Sequence, residues 1–458
     1  MTRIPAATSL STPGTATGPR SLTRSIGVGG GTLLTLSCVT PASSLFVLVP
    51  PLFTDLGTGT ALAIALAVLL CVGIAFCYSE LGTLVPSAGG EYAMVTTVGN
   101  RFAGWMTFML SFIVILVVPP IIAIGVADYV AAVVDIQPSV AGALVMLAST
   151  VMGLLNLRSN AWITGIFLLV ELAAIFAVSW LGFGHTTQPV GVLFKPSLDG
   201  VTGIGLVGVV AGLAVALFVM QGFSTAVYLA EEMREPRRTV VRTVLWTLGI
   251  SALVILVPVV AVTLAVPDLT GLGAVDLTAL VTGWSNSGFG VAISLCIAAA
   301  IVNAVIVMVI QNSRVLYASA RDRAWPDPVN RAMSVVSKRF GAPWVATLIT
   351  GLSEAVLCFV PVETLSGVTG VAVVALYLSV AAAALGTRRA AHRKATVWRM
   401  PGWPVVPVLA LAALAYVLVE QKPLDLAITA AVLLVSALYW WVGLRPRPDR
   451  WVVTVPQD

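Results

Sequence analysis

The sequence predicts an all-α integral membrane protein of about twelve transmembrane helices, arranged as a five-plus-five inverted repeat with discontinuous first and sixth helices and two extra helices behind it. Three observations carry this expectation. The 458 residues are 58% hydrophobic and 10% charged, with mean hydropathy +1.00, whereas soluble domains carry about 25% charged residues. Turns and charges cut the chain into roughly twelve apolar stretches of about 20 residues, the length that crosses a bilayer core. Two stretches, holding Val39-Thr40-Pro41-Ala42-Ser43-Ser44 and Met220-Gln221-Gly222-Phe223-Ser224, are interrupted by helix breakers about half a chain apart. In lipid every backbone amide and carbonyl needs a partner within the protein, so a helix is broken only where the freed groups line a cavity or grip a ligand. Such breaks at corresponding places in two halves point to a secondary transporter with a midplane site.

Residues 1–24 are rich in Ser, Thr, Pro and Gly and lack an apolar core, which reads as a disordered cytoplasmic tail. The first span, near 31–53, is broken at Pro41, which lacks an amide donor and clashes with the preceding turn. A short turn with Asp55 leads to the second span at 61–84. The loop Pro86-Ser87-Ala88-Gly89-Gly90-Glu91-Tyr92 and an amphipathic piece precede a long third span at 101–133, bent by Pro119 and Pro120. The fourth and fifth spans, 140–155 and 161–182, flank Arg158, and 183–200 close the first half. The second half follows with a broken span at 203–229, then 241–266, 288–319, a charged loop at 321–340, 343–360 and 365–385. Spans at 405–418 and 424–442 complete the set. The domain boundaries are thus repeats at 25–183 and 200–386, an added pair at 403–443 and a cytoplasmic tail at 444–458. The halves share no visible identity, so the repeat rests on span count and the two breaks.

The net charge is +5 with a pI of about 9.1, and its distribution argues for a membrane rather than a nucleic-acid partner. With the N-terminus in the cytoplasm and the spans alternating, only Lys195 and Lys422 fall on external loops. Arg234, Arg237, Arg238 and Arg242, then Arg388, Arg389, Arg393 and Lys394, then Arg445, Arg447 and Arg450 lie inside. The positive-inside rule then places both termini in the cytoplasm of a multi-pass cell-membrane protein. Cys38, Cys71, Cys77, Cys296 and Cys358 sit in apolar stretches with no metal-ligand spacing, which suggests neither disulfides nor zinc. His185 and His392 fall in loops on opposite sides, and no phosphate loop or nucleophile elbow is present. No catalytic residue, metal or cofactor is expected, and an ATP-driven pump is disfavoured.

At the first break the half-helix restarting near Pro41 points its partially positive end into the cavity. Ala42, Ser43 and Ser44 are small enough for a ligand carboxylate to approach those amides. Carbonyls around Leu36 to Val39 are expected to lose their helical partners. At the second break Gly222 permits unusual backbone angles, so carbonyls near Phe218 and Val219 can turn toward a substrate ammonium. Phe218 and Phe223 either stack over the ligand or serve as core packing. The apolar character of Met220, Phe218 and Phe223, without a pocket charge, points to a substrate neutral overall.

An ionisable group at the bilayer centre costs about 2.5–3.5 kcal/mol and faces a partner or a pathway. Glu171 is the foremost such group: burial disfavours its charged form, so it is a proton-coupling candidate, the alternative being a permanently neutral, hydrogen-bonded side chain. Asp128 and Glu354 read as span-end residues satisfied by water. Glu80, Glu91, Glu231 and Glu232 fall at inner span ends among arginines such as Arg234. They form either an ion-pair lock on the inward mouth or solvated surface pairs. Asn303, Asn312, Ser313 and Tyr377 line the pocket or bond between helices.

Glu80-Leu81-Gly82, Pro86 and Gly89-Gly90-Glu91-Tyr92 resemble the second-span signature of the amino acid, polyamine and organocation transporter superfamily. Gly222-Phe223-Ser224 with Ala230-Glu231-Glu232-Met233-Arg234-Glu235-Pro236-Arg237-Arg238 resembles its sixth-span and inner-loop pattern. Ser313-Arg314-Val315-Leu316-Tyr317-Ala318 with Ala320-Arg321-Asp322 resembles its eighth-span end. The resemblance implies an amino acid permease with the leucine-transporter fold, whose first and sixth spans grip the substrate while one bundle rocks to give alternating access. By position, Thr40, Ala42, Ser43 and Ser44 match the first-span substrate segment, Phe218 an aromatic gate, and Met220, Gln221, Gly222, Phe223 and Ser224 the sixth-span segment. Glu171 resembles in position a lysine that proton-coupled relatives place beside the first and eighth spans. Two departures stand out: Ala42-Ser43-Ser44 replaces a frequent Gly-Ser-Gly, narrowing the pocket floor, and Ser224 replaces a frequent acidic residue. The implied function is transport of an amino acid or related amine by proton symport or exchange, with protons as the co-partner. The alternative is an ion channel or a non-transporting sensor on the same fold.

Overall fold

A computed structural model describes residues 24–131, 134–155, 157–198, 203–269, 272, 277–337, 339, 341–389 and 397–453. The tail expected at 1–24 lies outside them up to residue 23, as do Arg393 and Lys394. Among the described residues the protein is helical, with isolated bridges at Ile26–Met233 and Ser197–Gly203 and no strand. The order opens with α1 (Val28–Val39), α2 (Pro41–Ser43), α3 (Val49–Leu56), α4 (Thr60–Leu84), α5 (Glu91–Val98), α6 (Arg101–Ile124) and α7 (Val126–Val130). It continues with α8 (Pro138–Gly153), α9 (Leu157–Gly184), α10 (Gly205–Ala211), α11 (Leu213–Val219), α12 (Pro236–Ala265) and α13 (Leu277–Trp284). Last come α14 (Ser287–Arg321), α15 (Asp327–Met333), α16 (Trp344–Leu357), α17 (Val362–Leu385), α18 (Val405–Val419) and α19 (Pro423–Tyr439).

Among the described residues eight helical stretches are long and apolar enough to cross a bilayer, and α8, α16 and α18 are shorter apolar helices. The first stretch, Val28–Leu84, is 57 residues long and is interrupted at Gly57, whose φ of +52° ends α3. The boundary expected between the first two spans falls on that interruption. A side chain at Gly57 would run into the backbone of Ser197 and Leu198, so glycine is required there both for its backbone angle and for space. This is a multi-pass membrane protein, its backbone polar groups satisfied within helices.

The core is organised by α14, 35 residues long and almost wholly buried from Asn303 to Ala320, which packs against α1, α6, α8, α9 and α16. Small residues let the backbones approach, as lipid-embedded helices require in the absence of a hydrophobic drive between them. Gly31 of α1 meets Thr243 of α12, Gly82 of α4 meets Val240, Gly182 of α9 meets Ala261, and Gly351 of α16 meets Thr150 of α8.

Residues 445–453 do not trail away. Trp451 is fully buried, its ring 4.9 Å from that of Tyr92, 5.2 Å from Trp105 and 5.5 Å from Phe108. Its Nε1 donates to the Arg101 carbonyl at 3.1 Å, Val452 N–H donates to the Asp322 carbonyl at 3.0 Å, and Arg450 pairs with Asp327 at 3.2 Å.

Candidate functional site

Both expected breaks are present, and they touch. α1 ends at Thr40, held at φ +50°, and Pro41 opens α2 at the position where its missing amide costs nothing. A π-helical turn over Ser44–Leu48 then leads into α3. The carbonyls expected to be free are partly recaptured: that of Leu36 accepts Thr40 N–H at 3.2 Å, and that of Val39 accepts the Ser44 hydroxyl at 3.0 Å. On the other side α11 ends at Val219, Gln221 N–H donates to the Phe218 carbonyl at 3.0 Å, and Gly222 adopts φ +121° before a 3₁₀ stretch over Phe223–Glu232. The Gly222 carbonyl accepts Thr225 N–H at 3.0 Å and its hydroxyl at 2.7 Å. A Cβ on Gly222 would stand 2.8 Å from Val39 Cα and 2.9 Å from Val39 N, so the two breaks meet backbone to backbone.

Glu171 reaches this crossing from α9. Fully buried, it accepts the Ala42 N–H with Oε1 at 2.7 Å, while Oε2 has no hydrogen-bond partner. The amide expected to greet a ligand carboxylate is therefore held by a carboxylate of the protein itself.

A cavity of about 20 Å³ lies beside the breaks, walled by Gln221, Ser224, Thr225, Tyr228, Asn312 and Glu91 together with α6 residues. Of the residues expected to bind substrate, Gln221 and Ser224 are on this wall. Thr40, Ala42, Ser43, Ser44 and Met220 are buried around the crossing, off the wall. Phe223 points away into an aromatic trio, its ring 6.4 Å from Tyr78 and 6.2 Å from Tyr377. Phe218, half-buried, edges a second cavity of about 580 Å³ that also includes Pro51, Gly367, Lys422 and Asp425, on the side of the breaks away from Ser25.

On the Ser25 side the acidic residues are paired. Glu231 pairs with Arg321 at 2.7 Å and takes the Ala88 N–H at 2.9 Å. Glu232 pairs with Arg314 at 2.8 Å, and its carbonyl accepts Ser25 N–H at 2.9 Å and Ile26 N–H at 3.0 Å. Glu80, on α4, binds Arg388 at 3.0 Å, the Thr387 hydroxyl at 2.8 Å and Met400 N–H at 2.8 Å. Arg234 departs from expectation, since its side chain is exposed and it joins through its backbone N–H to Ile26. Arg314 and Arg321 take the pairing role. Arg314 carried a readable signal, an arginine inside an apolar helix that needs a buried partner. Arg321→Gln is expected to cost about 1.5–3 kcal/mol, the worth of a hydrogen bond to a charged group, and to lower the melting temperature in detergent. Adding Glu231→Gln should recover part of that loss; no recovery would mean the two side chains act independently.

Two other acidic residues need correction. Glu354 is not a hydrated span-end residue: it is fully buried and accepts Asn312 Nδ2 at 3.2 Å, while the same nitrogen bonds the Ile115 carbonyl at 2.7 Å. Glu91 does not join the arginines at the mouth. It is buried on the cavity wall, with Oε1 accepting the Tyr78 hydroxyl at 2.9 Å. Asp128 is exposed, as expected.

The profile of the amino acid permease family matches residues 28–442, most of the chain including both breaks and the ion pairs of Glu80, Glu231 and Glu232. The chain belongs to the amino acid permease family. The permease is similar to a branched-chain amino acid permease of Bacillus subtilis, 23% identical over 422 residues that cover 86% of this chain and 87% of the relative. It is also similar to a methylthioribose transporter of the same organism, 24% identical over 417 residues covering 85% and 87%. A vacuolar cationic amino acid transporter of Arabidopsis thaliana is 25% identical over 358 residues, 72% of the permease and 54% of that protein. The permease is thus a member of the amino acid, polyamine and organocation superfamily and a transporter for amino acids.

Proposed function

We propose that the permease is a secondary active transporter that carries an amino acid or related amine across the cytoplasmic membrane by alternating access, coupled to protons as a symporter or exchanger. Its helices would form the leucine-transporter arrangement of about twelve spans, with repeats at 25–183 and 200–386, an added pair at 403–443 and the tail at 444–458. Both termini would face the cytoplasm, as the arginine bias favours.

The observation that carries this reading is the crossing of the two broken helices with Glu171 on the Ala42 amide. A carboxylate bound to that amide excludes a second one, because like charges do not share a site. Protonation of Glu171 weakens its hold, the substrate carboxylate takes the amide, and proton and substrate are then bound together. Thr40, Ser43, Ser44, Met220 and Gly222 shape this half of the site, Gln221 and Ser224 face the cavity, Phe218 screens it from the larger cavity, and Phe223 supports the wall from behind. The pairs of Glu231 and Glu232, with Glu80 beside them, would serve as the gate on the cytoplasmic mouth.

Purified protein in vesicles tests this reading. Saturable, stereoselective uptake of an amino acid or amine, accelerated by an inward proton gradient, is the expected result. Unsaturable ion current, or ligand binding without uptake, would replace it with a channel or a sensor.

A further inference from the structure

The last described residues run beside the proposed gate and grip one side of it. Trp451, fully buried, lays its ring 4.9 Å from that of Tyr92. The Tyr92 hydroxyl donates to Oδ2 of Asp322 at 3.0 Å, Oδ1 of Asp322 meets Arg321 Nε at 3.5 Å, and Arg321 holds Glu231 at 2.7 Å. A second line of contact runs through the backbone. Trp451 N–H donates to the Arg323 carbonyl at 3.4 Å, and Val452 N–H to the Asp322 carbonyl at 3.0 Å. Arg323 is held just past the end of α14 at φ +59°, a left-handed angle that a residue with a side chain keeps only where its surroundings enforce it. The segment is anchored in turn by Arg101, whose guanidinium donates to the carbonyls of Arg447, Arg450 and Trp451.

These contacts converge on the arginine whose pairing the gate needs. Arg321 is shared between Glu231 across the gate and Asp322, its own neighbour in the chain. Two carboxylates compete for one guanidinium, so whatever engages Asp322 decides how firmly Glu231 is held. Tyr92 engages it, and the Trp451 ring keeps Tyr92 in place; emptying that position would leave a void into which the Tyr92 ring can turn. We propose that residues 445–453 form a brace on the gate, biasing the transport cycle toward the state in which Arg321 and Glu231 are paired. Release of the brace lets Asp322 draw Arg321 away from Glu231, and the gate opens more often. The inference rests on the gate reading above, in which separation of that pair opens the passage.

The test treats the full-length protein, in vesicles with the Ser25 side outward, with a membrane-impermeant methanethiosulfonate and reads the labelling rate of Cys38 by peptide mass. Cys38 is buried on the wall of the small cavity, so from that side the reagent reaches it only past the gate. Trp451→Ala is expected to speed labelling by about threefold or more, the bias that one lost hydrogen bond removes. Tyr92→Phe keeps the ring and deletes only the hydroxyl on Asp322; it should act in the same direction, and combining the two should add little. Trp451→Phe, which restores a ring, should return most of the way to the wild-type rate. Arg321→Gln breaks the gate pair itself and calibrates the measurement. Fast labelling in Arg321→Gln with wild-type rates in Trp451→Ala and Tyr92→Phe would overturn the brace. So would a lowered melting temperature in Trp451→Ala with Cys38 labelling unchanged, which would leave the segment a structural plug. If Trp451→Ala does not fold, Tyr92→Phe decides. A wild-type rate in Arg321→Gln would instead remove the gate reading.

Discussion

Gly222→Ala is expected to abolish uptake and to lower the melting temperature sharply. The added methyl group would stand 2.8 Å from Val39 Cα and 2.9 Å from Val39 N, and those atoms belong to backbone that cannot turn aside as a flexible side chain would. The backbone angle at Gly222, φ +121°, adds about 1–3 kcal/mol of strain for any residue with a side chain, and forced overpacking adds about 1–3 kcal/mol more. Against a net stability of about 5–15 kcal/mol, that is a large fraction. Uptake into vesicles should fall by at least about tenfold, since each 1.4 kcal/mol lost from a productive state is a tenfold change. Gly249→Ala is the matched control: nothing lies within 4 Å of its missing Cβ, and inside α12 the change should be neutral or stabilising by up to about 1 kcal/mol. Normal transport by Gly222→Ala would show that the two breaks need not meet.

Glu171→Gln should separate coupling from movement. The amide side chain keeps an oxygen able to accept the Ala42 N–H, now 2.7 Å from the carboxylate, so the crossing stays intact while the titrating group is gone. Accumulation driven by a proton gradient is expected to disappear, and exchange of labelled for unlabelled substrate across the membrane should persist. Gradient-driven accumulation at the wild-type level would place the proton elsewhere, with Glu354 the next buried carboxylate to test.

The spans and both breaks were legible because their signals are local. Pro41 and Gly222 interrupt apolar runs, and a proline or glycine acts within one turn of itself. What those breaks face was not legible. Glu171 meets Ala42 across 129 positions, and nothing near either residue announces the other. Competition among partners decided the glutamates: four fall near inner span ends, but Arg314, Arg321 and Arg388 take Glu232, Glu231 and Glu80, leaving Glu91 to the cavity. The aromatic rings divided for a similar reason. Phe218 and Phe223 lie on either side of the Gly222 turn, whose geometry sends Phe223 toward Tyr78 and Tyr377. Glu354 misled because its helix is short and its neighbour Asn312 comes from another helix altogether.

The docking of Trp451 imposes an order on biosynthesis. Its indole bonds a carbonyl 350 positions upstream, so Tyr92, Trp105 and Phe108 wait, uncapped, through translation of nearly everything between them. Contacts of such separation form late. Until the ribosome has delivered that aromatic, the nascent protein carries an unfilled hollow beside Tyr92, Trp105 and Phe108, a mark by which unfinished or clipped copies differ from mature ones.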